Sequence, residues 1–117
     1  MTPTQLLTAA RRLLDEPSVE TEGVWARTCA VLTRQALEQA VAVKLSQHVG
    51  SLERVNFRAQ LLCVHGVTSD EQVAAKAYYV WAALSRALHH GGYELPPTAP
   101  ALRGWLEVVE EVVAALE

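Results

Sequence analysis

One arginine, two adjacent histidines and a pair of glycines close the apolar stretch ALSRALHHGG, residues 83–92. Arg86 carries a planar guanidinium fork, which suits phosphate oxygens. His89 and His90 carry imidazoles, the side chain most often used as a general acid or base. Such a set fits a catalytic or RNA-binding cluster. It also fits a helix that is simply ending. Histidines in a last turn are favoured by the helix dipole, and Gly91 is an ordinary stop.

The helix that carries the cluster is well marked. Ser69, followed three residues later by Gln72, reads as a capping box. From there a helix is expected to run to His90. Val73, Ala77, Val80, Leu84 and Leu88 recur at helical spacing and form its core stripe. With Val73 at zero and an advance of about 100° per residue, Arg86 falls near 220°, flanked by His89 and His90. Ala75, Tyr79 and Ala82 share that side. The helix thus has a second, outward face on which small residues let another backbone approach, and Tyr79, Ala82 and Tyr93 are candidate RNA-binding or dimer contacts.

Four further helices must hold this one in place. Thr2 can cap a helix from Pro3 to Asp15 with Leu6, Ala10 and Leu13 in one stripe. The longest pattern runs from about Thr21 to Val49. Trp25, Cys29, Leu32, Ala36, Ala40 and Val43 form one stripe, and Leu37, Val41, Leu45 and Val49 form another. So wide an apolar arc belongs at the centre of a bundle. Arg27, Arg34 and Glu38 share its polar face. Leu52 to His65 reads as a third helix with Leu52, Val55, Ala59 and Leu62 on one side, after Gly50 and a capping Ser51. Thr98 caps the last helix, which runs to Leu116 with Leu102, Leu106, Val109, Val113 and Leu116 inward. No strand pattern competes. The expected fold is all-α, a four-helix up-down bundle with an additional short N-terminal helix, in one domain spanning residues 1–117.

Composition bounds the function. Half of the 117 residues are apolar, enough for one core. A net charge of −3 argues against binding duplex DNA by bulk charge. Eight of the ten cations are arginines, so a local basic patch is still compatible. The first residues, MTPTQLLTAARRLLDE, are amphipathic and do not read as a leader, and no run approaches a membrane span. The expected location is the cytoplasm. An absence of isoleucine and only two lysines hint at a GC-rich bacterial source. Cys29 and Cys63 are unpaired in spacing and read as two buried thiols.

Three stretches together resemble the HEPN superfamily, the higher-eukaryote and prokaryote nucleotide-binding helical domains. They are RTCAVLTRQALEQAV (27–41), WAALSRALHHGG (81–92) and ALRGWLEVVEEVVAAL (101–116), somewhat over a third of the chain. The family motif is an arginine, four to six residues, then a histidine. Here Arg86 and His90 are separated by three residues, and Ala87 stands where a polar residue is usual. The resemblance implies a metal-independent endoribonuclease acting as a homodimer, or a non-catalytic relative that binds RNA, a nucleotide or a protein partner. It implies His90 as the base that takes the 2′-hydroxyl proton and Arg86 as the phosphate clamp. His89 or Tyr93 would assist, and two subunits would form one cleft. The alternative is a non-catalytic helical dimerisation or protein-interaction module.

Other constellations are weaker. A zinc site needs three or four ligands at workable spacing, and His48, His65, His89, His90 and two distant cysteines do not supply it. No glycine-rich phosphate loop is present, and no cofactor is expected. Arg58 and His65 match the motif count but lie on another helix. Ser85, Arg86 and His89 on one turn do not make a triad. Glu107, Glu110 and Glu111 read as a solvated face, and Trp25, Trp81 and Trp105 as core.

Overall fold

The computed structural model describes residues 1–50, 52, 54–89 and 96–117. His90 and Tyr93 lie outside them, as does Ser51. Among the described residues there are five α-helices and no strand: α1 (Pro3–Asp15), α2 (Trp25–Val49), α3 (Phe57–Cys63), α4 (Glu71–Leu88) and α5 (Ala99–Leu116). A 3-10 turn, Val64–Gly66, follows α3. Of these helices none is long and apolar enough to cross a membrane.

Local chemistry sets most of the helix starts. Thr2 and Gln5 form a reciprocal capping box at α1, with Pro3 in the first turn. The Thr98 hydroxyl accepts from the Ala101 amide at 3.2 Å and starts α5. At α4 the cap is Asp70, whose carboxylate accepts from the Gln72 amide at 2.9 Å. Ser69 therefore does not cap it. An aspartate next to the first turn supplies both the acceptor and the charge that the helix N-terminus favours.

Two starts fall later than the apolar pattern implies. Gly23 takes φ +84, a left-handed conformation that suits glycine, and α2 begins only after it at Trp25. Thr21 contributes its backbone carbonyl to this turn, accepting from the Val24 and Trp25 amides. α3 begins at Asn56, whose side chain accepts from the Ala59 amide at 2.9 Å. Val55 is turned outward, and Leu62 is 70% exposed. The buried residues are instead Gln60, Leu61 and Val64. In so short a helix, three apolar positions admit more than one face.

Ion pairs fix the helix directions. Arg11 pairs with Glu110, and Asp15 pairs with Arg103 at 2.9 Å. Ascending α1 therefore meets descending α5. Lys76 near the start of α4 meets Glu111 near the end of α5, again antiparallel. Arg27 at the start of α2 reaches Leu88 at the end of α4. The helices α1, α2, α4 and α5 run alternately up and down around one core, with α2 touching all the others. The short extra helix is α3, between α2 and α4. The N-terminal helix is no accessory: its packing against α2 is the most extensive of the helix pairs.

One cluster of buried residues draws on every helix, with Leu37, Val41, Leu45, Leu84, Leu102 and Leu106 fully enclosed. All five stripe positions of α4 and all five of α5 are buried. On α2, Cys29, Ala36, Leu37, Ala40, Val41 and Leu45 are buried, while Val43 and Val49 are exposed. Trp25, Trp81 and Trp105 pack at the core margin, Trp81 against Phe57 with ring centroids 5.4 Å apart. Cys29 is buried, and its Thr33 neighbour donates to the Cys29 carbonyl at 2.7 Å. Cys63 is exposed, against expectation, because α3 turns its last residues to solvent.

Candidate functional site at the end of helix α4

The core stripe of α4 fixes which residues turn outward. With Val73, Ala77, Val80, Leu84 and Leu88 inward, Ala75, Tyr79 and Arg86 are exposed and Ala82 is half-buried. The geometry brings Arg86 and His89 to the same end of the helix, both exposed. They are three positions apart, a rise of about 4.5 Å and a turn of about 60°, so they sit on adjacent turns of the same face.

The helix is shorter than the pattern implies. It stops at Leu88, and His89 is its C-cap, with φ −100 and ψ 21 and an amide that donates to the Ser85 and Arg86 carbonyls. The bifurcated bond tightens the last turn. His90 and Tyr93, expected as base and helper, fall outside the described residues.

A second arginine reaches this end from another helix. Arg27 Nη1 donates to the Leu88 carbonyl at 3.3 Å. It therefore meets one of the carbonyls that the helix end leaves without an internal partner, and it sets positive charge at the negative end of the dipole. Arg27 and Arg86, from two helices, make the end of α4 a cationic corner, with His89 at its cap. Sequence reading put Arg27 on the polar face of α2 without connecting it to this corner. The bond spans 61 positions, and nothing local announces it.

Next along α2, Arg34 pairs with Glu38 at 3.3 Å across one helical turn. Burial raises the Glu38 carboxyl above its ordinary range, and the Arg34 charge partly counters this. The Ser85 hydroxyl is enclosed and has no hydrogen-bond partner among the described residues. It points away from solvent and is no nucleophile beside Arg86.

The remaining polar clusters are structural. A groove between α1 and α5 is lined by Thr8, Arg11, Arg12, Asp15 and Glu110. Arg11 and Glu110 satisfy each other across it, and hydrogen bonding to Glu110 holds the Arg11 guanidinium above its usual value. Glu110 and Glu111 therefore do more than stay wet: each ties α5 to a neighbouring helix. Among the described residues, no three His, Cys, Asp or Glu side chains gather closely enough to hold a metal ion.

Comparison of the chain with protein-family models, with curated proteins and with solved structures finds no match.

Proposed function

We propose that this chain is an RNA-associated helical protein of the HEPN kind, which meets RNA at the cationic end of α4. One observation carries the reading: Arg86 and His89 are both exposed at one helix end, and Arg27 of α2 reaches the last carbonyl of the same helix. A guanidinium suits the backbone phosphate, and exposed Tyr79 offers a ring face to a base. Single-stranded RNA fits the overall charge of −3 better than duplex DNA, because a small local patch is enough.

The chemistry to look for is metal-independent cleavage. An imidazole takes the 2′-hydroxyl proton, the oxygen attacks the adjacent phosphorus, and the 5′-oxygen leaves with a proton returned to it. An arginine stabilises the charge that builds on the phosphorane. Here Arg86 is the clamp, and His90, with His89 beside it, is the base.

The test is incubation with single-stranded RNA in chelator, following both binding and cleavage. Arg86→Ala should weaken binding across sequences, and His90→Ala should stop cleavage while sparing binding. Binding and cleavage that survive Arg86→Ala unchanged would dispose of the assignment. A second reading is favoured by the exposure of Tyr78 and Tyr79 at 46% and 58%. On that reading α4 is the docking face of a non-catalytic interaction module.

A further inference from the structure

The outer face of α4 has an internal symmetry that a solvated face does not need. Glu71, Ala75, Tyr78, Tyr79, Ala82 and Arg86 fall within an arc of about 100°, opposite the core stripe. They are also arranged symmetrically about the midpoint between Tyr78 and Tyr79. Ala75 and Ala82 are equally distant from it on either side. So are Glu71 and Arg86, near the two ends of the helix. Reversing the helix direction therefore places tyrosine on tyrosine, alanine on alanine, and acid on base.

We propose that this face binds a second copy of the chain, α4 against α4 and antiparallel, with a two-fold axis between Tyr78 and Tyr79. The proposal rests on the docking-face reading and names its occupant. A closed two-fold contact must be self-complementary, and this stripe is. Ala75 and Ala82 let the two backbones approach, and the tyrosines beside the axis supply most of the contact area. Ala75, Tyr79, Ala82 and Arg86 alternate steps of four and three, the spacing of a seam between two helices. Glu71 of each copy meets Arg86 of the other. A parallel pairing would set glutamate on glutamate and arginine on arginine, and so it is disfavoured.

This arrangement differs from the single shared cleft that the family resemblance implies. Arg86 lies about 11 Å along the helix from the axis, so the two copies hold their arginines about 22 Å apart. In the dimer each Arg86 pairs with Glu71 of the other copy, so self-association and phosphate contact at Arg86 compete.

Sedimentation of the full chain without RNA tests the proposal, from micromolar to sub-millimolar concentration. A monomer–dimer equilibrium is expected, at the weak end because one helix pair is a small interface. Ala82→Arg should abolish it, and Tyr79→Glu is the second variant on the same face. Arg86→Glu or Glu71→Arg alone should weaken association about tenfold or more, and the two together should restore it. Within one chain these side chains are about 22 Å apart along α4, so restoration reports a contact between chains. Helix content by circular dichroism is expected to be unchanged in all variants. A wild type that stays monomeric throughout overturns the proposal and leaves the face to a different partner. Dimers that tolerate both Ala82→Arg and Tyr79→Glu overturn the face itself. Dissociation by those variants without charge-swap restoration keeps the docking face and overturns the antiparallel register.

Discussion

Arg27→Ala tests whether α2 holds the end of α4 in place. The guanidinium donates to the Leu88 carbonyl at 3.3 Å. In ideal geometry a hydrogen bond from a charged donor is worth about 1.5–3 kcal/mol. This one is long, and the Arg27 side chain is exposed, so water competes for the carbonyl. The smaller scale of a cation at an exposed helix end, about 0.3–1 kcal/mol, applies instead. For a chain of this size each kcal/mol moves the melting midpoint by about 3–6 °C, so Arg27→Ala should lower it by about 1–6 °C. Thermal unfolding followed by circular dichroism measures this directly. In about 1 M salt, where the Debye length is about 3 Å, most of the difference should vanish. Arg27→Gln, which keeps a donor but no charge, should fall between wild type and alanine. The RNA reading adds a second readout. If Arg27 faces phosphate, its loss should lower the salt dependence of single-strand binding by about 0.7 in log–log slope. An unchanged midpoint would refute the helix-end reasoning. So would a loss that is equal in low and high salt, because that would be packing rather than charge.

Four other outcomes follow from the packing. Leu84→Ala, at a fully enclosed position, should cost about 2–5 kcal/mol in urea unfolding, while Leu62→Ala should stay within about 0.5 kcal/mol. Asp70→Ala should cost about 1 kcal/mol through loss of the α4 cap, and Ser69→Ala almost nothing; equal losses would contradict the assigned cap. Cys63 should react with a thiol reagent in the native protein and Cys29 only on unfolding, because Cys29 is enclosed and burial raises its thiol. The Glu38 carboxyl is raised by burial, so the folded state keeps its proton to higher pH than the unfolded chain. Its contribution to stability therefore falls as pH rises from the ordinary carboxylate value through the raised one, and Glu38→Gln should flatten that part of the pH–stability curve.

The helices were legible where a cap and a long stripe agreed. α5 begins at Thr98 and buries all five positions read from its spacing, since 18 residues leave one consistent apolar face. α4 was legible in its stripe but not at its ends. The hydrogen-bonding choice between Ser69 and Asp70, and the stop at Leu88 before His89, depend on one residue of geometry that periodicity does not resolve. α3 was misread because seven residues barely complete two turns. Asn56 was the missed marker, a capping side chain inside what reads as one amphipathic helix from Leu52 to His65. Of the candidate site, the outward position of Arg86, His89, Tyr79 and Ala82 followed from the stripe alone. Arg27 did not, because its role exists only once the start of α2 lies against the end of α4. The same holds for Glu110 and Glu111, whose partners Arg11 and Lys76 are on other helices.

The inner and outer faces of α4 are bound to one another by geometry. Val73, Ala77, Val80, Leu84 and Leu88 set the rotation of the helix, and that rotation alone decides that Ala75, Tyr79, Ala82 and Arg86 face out. Two of the smaller inner side chains, Ala77 and Val80, are fully enclosed. A larger side chain at Ala77 would have to push α4 away from α2 or turn it, because a close-packed core does not yield locally. Turning would shift the Leu88 carbonyl from Arg27, move Arg86 around the helix and swing Tyr79 out of the stripe. The cationic corner and the proposed self-contact should therefore respond together to an overpacked core, although neither touches it. A surface whose chemistry were independent of the fold would show no such link.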